Sequence, residues 1–254
     1  MKKKTVSLLL SLAMCLTMLP GQSVFAAETS TETETEAASE STGNHVENLI
    51  VGTIADQNVF NSLTQTDAFG RMNYNGFTQG DFVYRDENNN LQPYFWKSFT
   101  ISDDGKQIDF TIPLDAVWHD GEPVTMDDVV FTFEYMRDVR KNGSLQNLTE
   151  VKVTGDDSAS LIFSEPDAYY WINSSCNNNA CVYAKHIWEG IDDPTTLDGP
   201  EAAIGCGPYK FVDWKRGDQL EFTPFEDYYL GAPKIKNVIW KIIPEGSSRT
   251  IALE

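Results

Sequence analysis

Val117-Trp118-His119-Asp120-Gly121-Glu122-Pro123-Val124-Thr125-Met126-Asp127-Asp128-Val129-Val130-Phe131-Thr132-Phe133 is the stretch on which the reading of this 254-residue chain turns. Asp120-Gly121 is a turn pair: glycine accepts a positive φ, and aspartate brings its own hydrogen-bond acceptor. Thr125, followed three residues later by Asp128, has the form of a helix N-cap and its capping-box partner. Met126, Val129, Val130, Phe133, Met136 and Val139 then recur at spacings of three and four, which predicts a helix with one apolar face. Asp127 and Asp128 in a first helical turn serve the dipole and the cap rather than acid–base chemistry.

Outward from this helix the chain reads mostly as strands. Upstream, Asn48-Leu49-Ile50-Val51-Gly52-Thr53 reads as a buried strand, and folding is expected to begin near Val46. After the turn Asp103-Asp104-Gly105, Ile108, Phe110, Ile112 and Leu114 alternate with polar residues. Downstream, Val151-Lys152-Val153 and Leu161-Ile162-Phe163 flank Gly155-Asp156-Asp157 as a hairpin. Three more strands follow, at Tyr209–Trp214, Leu220–Thr223 and Val238–Ile243, the first two joined by the turn Arg216-Gly217-Asp218. Pro244 ends the last of them, and Ser247 or Ser248 is the expected cap of a short final helix. Strands outnumber helices without strict alternation, so the class is α/β in the mixed, α+β sense. A helix only about two turns long with nothing following it gives the sequence the look of a piece cut from a longer one.

Composition and charge narrow the function. The chain is 41% hydrophobic and 22% charged, which is globular, and 38 acidic against 19 basic residues give a formal charge of -19. So negative a surface repels phosphate backbones, excluding nucleic acid as a partner. Lys2, Lys3 and Lys4 precede an apolar run from Val6 to Leu19, which Pro20-Gly21 breaks; Val24 and Ala26 then suit the -3 and -1 positions of a cleavage site. Residues 1–27 thus read as a secretory signal peptide, too short in its apolar run for a transmembrane span. Cys15 follows the bulky Met14, and apolar residues continue beyond it, so it reads as part of the signal rather than a lipid-attachment site. Residues 28–45, rich in Ser, Thr and Glu, form a linker that can bury nothing and is expected to be disordered.

The search for chemistry returns little. No G-x-S-x-G or S-x-x-K is present, and Gly205-Cys206-Gly207-Pro208 is neither a P-loop nor a dinucleotide fingerprint. Cys206 as a nucleophile requires a histidine, which His119 or His186 could supply only through the fold; a small buried residue in a tight turn is the ordinary reading. Cys176, Cys181 and Cys206 are an odd set in an exported chain, leaving at least one thiol unpaired within the molecule, and Cys176 and Cys181 could close a small loop. With no C-x-x-C and three isolated histidines, no metal site is expected. Tyr169-Tyr170-Trp171, Trp188, Trp214, Tyr228-Tyr229 and Trp240 could line a cleft, though core packing is the usual use of such residues.

Several motifs occur together in a fixed order: Ile101-Ser102-Asp103-Asp104-Gly105, the Val117–Phe133 stretch, Gly205-Cys206-Gly207-Pro208-Tyr209-Lys210-Phe211, Phe225-Glu226-Asp227-Tyr228-Tyr229, Gly231-Ala232-Pro233-Lys234 and Ile242-Ile243-Pro244. In this the chain, from about residue 48 to 254, resembles the family 5 extracellular solute-binding proteins, the peptide, nickel and related receptors of ABC transporters. Two departures stand out. Cys206 occupies a place where the family usually has a small residue such as Thr, and family chains are much longer. The resemblance implies a periplasmic-binding-protein-like type II fold of cluster C architecture. Residues 46–62 and 198–254 would form lobe I and 63–197 an inserted β-rich subdomain, with the second lobe missing. It implies hinge closure on a ligand without covalent chemistry, so no catalytic residues, cofactor or metal.

The function implied is that of the extracellular substrate-binding component of an ABC importer. Oligopeptides or dipeptides are the first-choice cargo; nickel chelates, haem and oligosaccharides are the alternatives. ABC permease subunits would be its partners, and the location exported, at the cell surface or in the periplasm. The loop after the opening strand lines the cleft in such proteins and maps to Thr66, Asp67, Ala68 and Phe69, the candidate ligand-binding residues. A non-transport surface receptor or adhesin on the same fold is the second reading. A secreted hydrolase using the carboxylates and Cys206 is the third.

Overall fold

Asn48 and Asn237, 189 residues apart in the chain, lie side by side, the Asn237 side-chain amide donating to the Asn48 side-chain oxygen at 2.7 Å. The computed structural model describes residues 47–61, 63, 64, 77–175 and 180–252, all of which fall in one contact unit, residues 43–254. The signal peptide, the whole linker, and Cys176 lie outside the described residues.

The asparagine pair opens a parallel pairing of β1 (Asn48–Thr53) with β10 (Asn237–Ile242) that runs in register to Thr53 against Ile242. β9 (Gln219–Pro224) joins β10 antiparallel, and β8 (Tyr209–Lys215) joins β9, giving the order β1-β10-β9-β8. The β8–β9 turn places Gly217 at φ +73°, where a Cβ would be strained. Tyr209, Leu220, Phe222 and Val238 are buried on this sheet, with Phe77 and Trp240 packed against them. β1 is an edge strand, and this modifies the expectation of a buried strand. Leu49 and Val51 are half-buried, whereas Ile50 is 63% exposed, because only one face of the sheet is covered.

Between β1 and β8 the chain builds a second sheet. β4 (Ser98–Ile101), β5 (Gln107–Thr111), β7 (Ser158–Phe163) and β6 (Leu148–Gly155) pair antiparallel in the order β4-β5-β7-β6. A ribbon of β2 (Val83–Arg85) and β3 (Leu91–Pro93) precedes them. The capped helix is α1 (Met126–Asp138); Met126, Val129, Phe133 and Met136 are buried as the spacing predicts, and Thr132 and Tyr135 are buried with them. α2 (Ala168–Ser175) and α3 (Lys185–Trp188) complete the layer. Its core is aromatic: Phe82 stacks on Phe133 at 5.2 Å and Trp96 on Phe110 at 4.4 Å, with Trp171 against Phe133 at 5.3 Å.

The Asp128 carboxylate explains why the cap is so well set. One oxygen accepts the Thr125 backbone N–H at 2.8 Å and the Thr125 hydroxyl at 2.9 Å, and the other accepts the Lys185 N–H at 2.8 Å. A buried carboxylate with three donors is satisfied in place, and it ties α1 to α3.

Two local expectations are corrected. Leu114 is 65% exposed, because β5 ends at Thr111 and Pro113 cannot continue the ladder. The last helix, α4 (Gly246–Ile251), has Glu245 rather than Ser247 or Ser248 at its N-cap position, with no side-chain capping bond. Arg249 reaches back to the carbonyls of Ile243 at 2.6 Å and Pro244 at 2.8 Å, which starts the helix directly after the proline. No described helix is long and apolar enough to cross a membrane.

Candidate functional site

Thr66, Asp67, Ala68 and Phe69 lie outside the described residues; the nearest described stretches, up to Thr64 and from Phe77, are held by hydrogen bonds to distant segments. On the upstream side Asn61 is fully buried; its side-chain amide donates to Leu197 O at 2.8 Å and Pro194 O at 2.5 Å, while its oxygen accepts the Leu63 N–H at 2.9 Å. The Phe60 N–H donates to Asp198 at 2.7 Å. Asp56 holds the β8–β9 turn by accepting from the Trp214 indole at 2.9 Å and the Gly217 N–H at 2.7 Å. Downstream, Phe77 O accepts the Tyr209 N–H at 2.8 Å and Thr78 O accepts the Gly207 N–H at 3.0 Å. The described chain is thus bonded to the 194–198 segment at Phe60 and Asn61 and to the Gly205–Tyr209 loop at Phe77 and Thr78.

That loop is fastened from its other side by the motif that opened the sequence reading. The His119 N–H donates to Gly205 O at 2.9 Å, the Gly205 N–H donates to His119 Nδ1 at 3.3 Å, and His119 Nε2 lies 3.0 Å from Gly207 O. Accepting at Nδ1 puts the proton on Nε2, which donates to Gly207. Burial brings the ring down to about 4, so it stays neutral, as this pattern requires. Lys210 closes the knot, donating to His119 O at 2.8 Å with its ammonium 4.6 Å above the Phe225 ring.

These bonds decide the question of Cys206. Its thiol is buried, and desolvation pushes it up to about 12. Both nitrogens of His119 are committed to the loop backbone, and His186 bonds Asp120 at 2.8 Å, so neither ring is poised as a base for the sulfur. Cys181 is also a free, buried thiol, and the loop expected between it and Cys176 falls on a residue outside the described ones. Asp120 supports His186, and Asp128 is a cap. Among the described residues no three His, Cys, Asp or Glu side chains gather as a metal site would.

Of the aromatics singled out above, Trp171 and Trp188 are core, and Tyr169 and Tyr170 are exposed. Tyr229 alone takes part in a feature that sequence reasoning missed, a concavity of about 900 Å³ whose lining also includes Tyr84, Tyr94, Trp96, Lys97 and Asp115. The available signal was the run Tyr94-Phe95-Trp96-Lys97, but only the fold brings Tyr229 against it.

Residues 90–254 match the family model described as bacterial extracellular solute-binding proteins, family 5 Middle. The chain is 26% identical over 266 residues to the oligopeptide-binding protein AppA of Bacillus subtilis strain 168, covering 100% of this chain and 47% of AppA. It is 28% identical over 158 residues to the probable D,D-dipeptide-binding periplasmic protein DdpA of Escherichia coli K12, covering 61% of this chain and 31% of DdpA. The structure of AppA in complex with a nonapeptide superposes with a TM-score of 0.73 at 26% identity, over 81% of this chain and 42% of that one. NikZ from Campylobacter jejuni in complex with Ni(L-His) gives 0.68 at 26%, over 82% and 41%. The chain thus spans about half the length of AppA, and the shared fold is the type II periplasmic-binding-protein architecture, mixed α/β. On the family match over most of its length, the chain belongs to the bacterial extracellular solute-binding proteins of family 5.

Proposed function

We propose that this chain belongs to the exported substrate-binding component of an ABC importer that captures oligopeptides or dipeptides and presents them to permease subunits. Residues 46–62 and 198–254 are its lobe I and 63–197 its inserted subdomain; what supports this division is that β1 pairs with β10 while the intervening chain forms its own four-stranded sheet. Thr66–Phe69 contact the ligand, and the protein binds its cargo without transforming it. The observation that carries the reading is the similarity to AppA, in sequence across the whole chain and in fold over 81% of it.

The test is retention of peptides by the exported chain, read by mass spectrometry after equilibrium dialysis against a randomised peptide mixture, with nickel–histidine as a second arm. Peptide should be retained, and Asp67→Ala with Phe69→Ala should weaken retention by about tenfold or more. Retention of nickel–histidine alone, or peptide retention indifferent to both substitutions, would sink the assignment.

A further inference from the structure

The concavity beside Trp96 has a volume of about 900 Å³, within the range of about 300–1,000 Å³ over which small-molecule sites occur. Its walls come from separate parts of the chain and are held by contacts among themselves. Tyr84 and Tyr94 meet edge to face at 6.1 Å. The Tyr229 hydroxyl donates to Tyr94 O at 3.4 Å, and the Tyr94 and Tyr228 hydroxyls lie 3.1 Å apart. Trp96 is locked by its stack on Phe110. Burial raises the Tyr94 and Tyr229 phenols above the usual tyrosine range, so both stay neutral.

Three charged residues complete the lining, Lys97 and the carboxylates of Asp81 and Asp115. Lys97 and Asp115 are both exposed, and neither side chain has a hydrogen-bond or ion-pair partner among the described residues. Both charges remain available to a visitor.

We propose that this concavity binds a zwitterion carrying an aromatic ring, either a free aromatic amino acid or a short peptide with an aromatic residue. Lys97 takes the carboxylate, Asp115 takes the ammonium, and Tyr84, Tyr94 and Tyr229 form the walls for the ring. Charge-assisted hydrogen bonds at both ends set the orientation, and edge-to-face ring contacts add apolar burial. The site is independent of Thr66–Phe69 and does not rest on the peptide reading made for them.

The experiment is calorimetric titration of the exported chain with L-phenylalanine, the dipeptide Phe-Phe, phenethylamine and 3-phenylpropionate. At least one zwitterion should bind, and the two singly charged analogues about tenfold or more weaker than it. Tighter binding of phenylalanine assigns the site to free amino acids, and tighter binding of Phe-Phe assigns it to peptides. Lys97→Ala and Asp115→Asn, both on exposed side chains, should each reduce zwitterion affinity about tenfold or more while the melting temperature holds. Absence of binding by both zwitterions, or affinity unchanged in either variant, overturns the proposal.

Discussion

His119 and Gly205 exchange two hydrogen bonds, the His119 N–H to Gly205 O at 2.9 Å and the Gly205 N–H to His119 Nδ1 at 3.3 Å. Each residue belongs to a different motif of the sequence, and 86 positions separate them. The pair therefore closes the base of the sheet carrying β8 onto the turn that leads into α1. It also couples that junction to protonation, since a protonated ring has no lone pair for the Gly205 N–H.

The first prediction concerns pH. His119 is held at about 4 in the fold against 6.5 for a free side chain, so the unfolded chain binds more protons between those values. Stability from His119 is fully present above about pH 6.5 and is lost as the pH falls toward 4, by about 3 kcal/mol. Urea denaturation of the wild type and of His119→Gln across this range should show a steeper acid loss in the wild type. Parallel curves would remove His119 as the cause.

Gly205 and Gly207 should tolerate no side chain. A Cβ on Gly205 would lie 1.9 Å from Thr78 O, and one on Gly207 would lie 2.6 Å from Phe77 O, both backbone atoms that cannot step aside cheaply. Gly205→Ala and Gly207→Ala should each cost about 3 kcal/mol or more, or prevent folding. Gly143→Ala, where a Cβ meets nothing within 4 Å, is the control and should change stability little.

Asp128 should matter as a hydrogen-bond acceptor rather than as a catalyst. Asp128→Ala orphans the Thr125 and Lys185 N–H groups and should cost about 3 kcal/mol in urea unfolding. Asp128→Asn, which keeps one acceptor oxygen, should cost less. An alanine variant as stable as the wild type would contradict the bonding described.

The buried thiols should be silent. In a Cys15→Ser, Cys176→Ser background, Cys181 and Cys206 should not react with a thiol reagent in the native state at neutral pH and should both react in denaturant. Burial withholds the thiolate at both sites, raising Cys206 to about 12 and Cys181 higher still. Rapid native labelling of Cys206 would show it to be accessible and would reopen a nucleophilic role.

Local signals wrote much of this protein directly. Thr125 with Asp128 announced the helix and its cap, and the spacing of Val129, Phe133 and Met136 announced the face it buries, because capping and periodicity involve neighbours within a turn or two. Gly155-Asp156-Asp157 and Arg216-Gly217-Asp218 marked their hairpins for the same reason. Where the outcome depended on a distant partner, the sequence was silent. The half-exposure of β1 follows from its sheet being covered on one face only, the resting place of His119 from a loop 86 residues away, and the aromatic concavity from Tyr229 meeting Tyr94. Such contacts form only when packing brings remote segments together, and no local propensity encodes which segments those are.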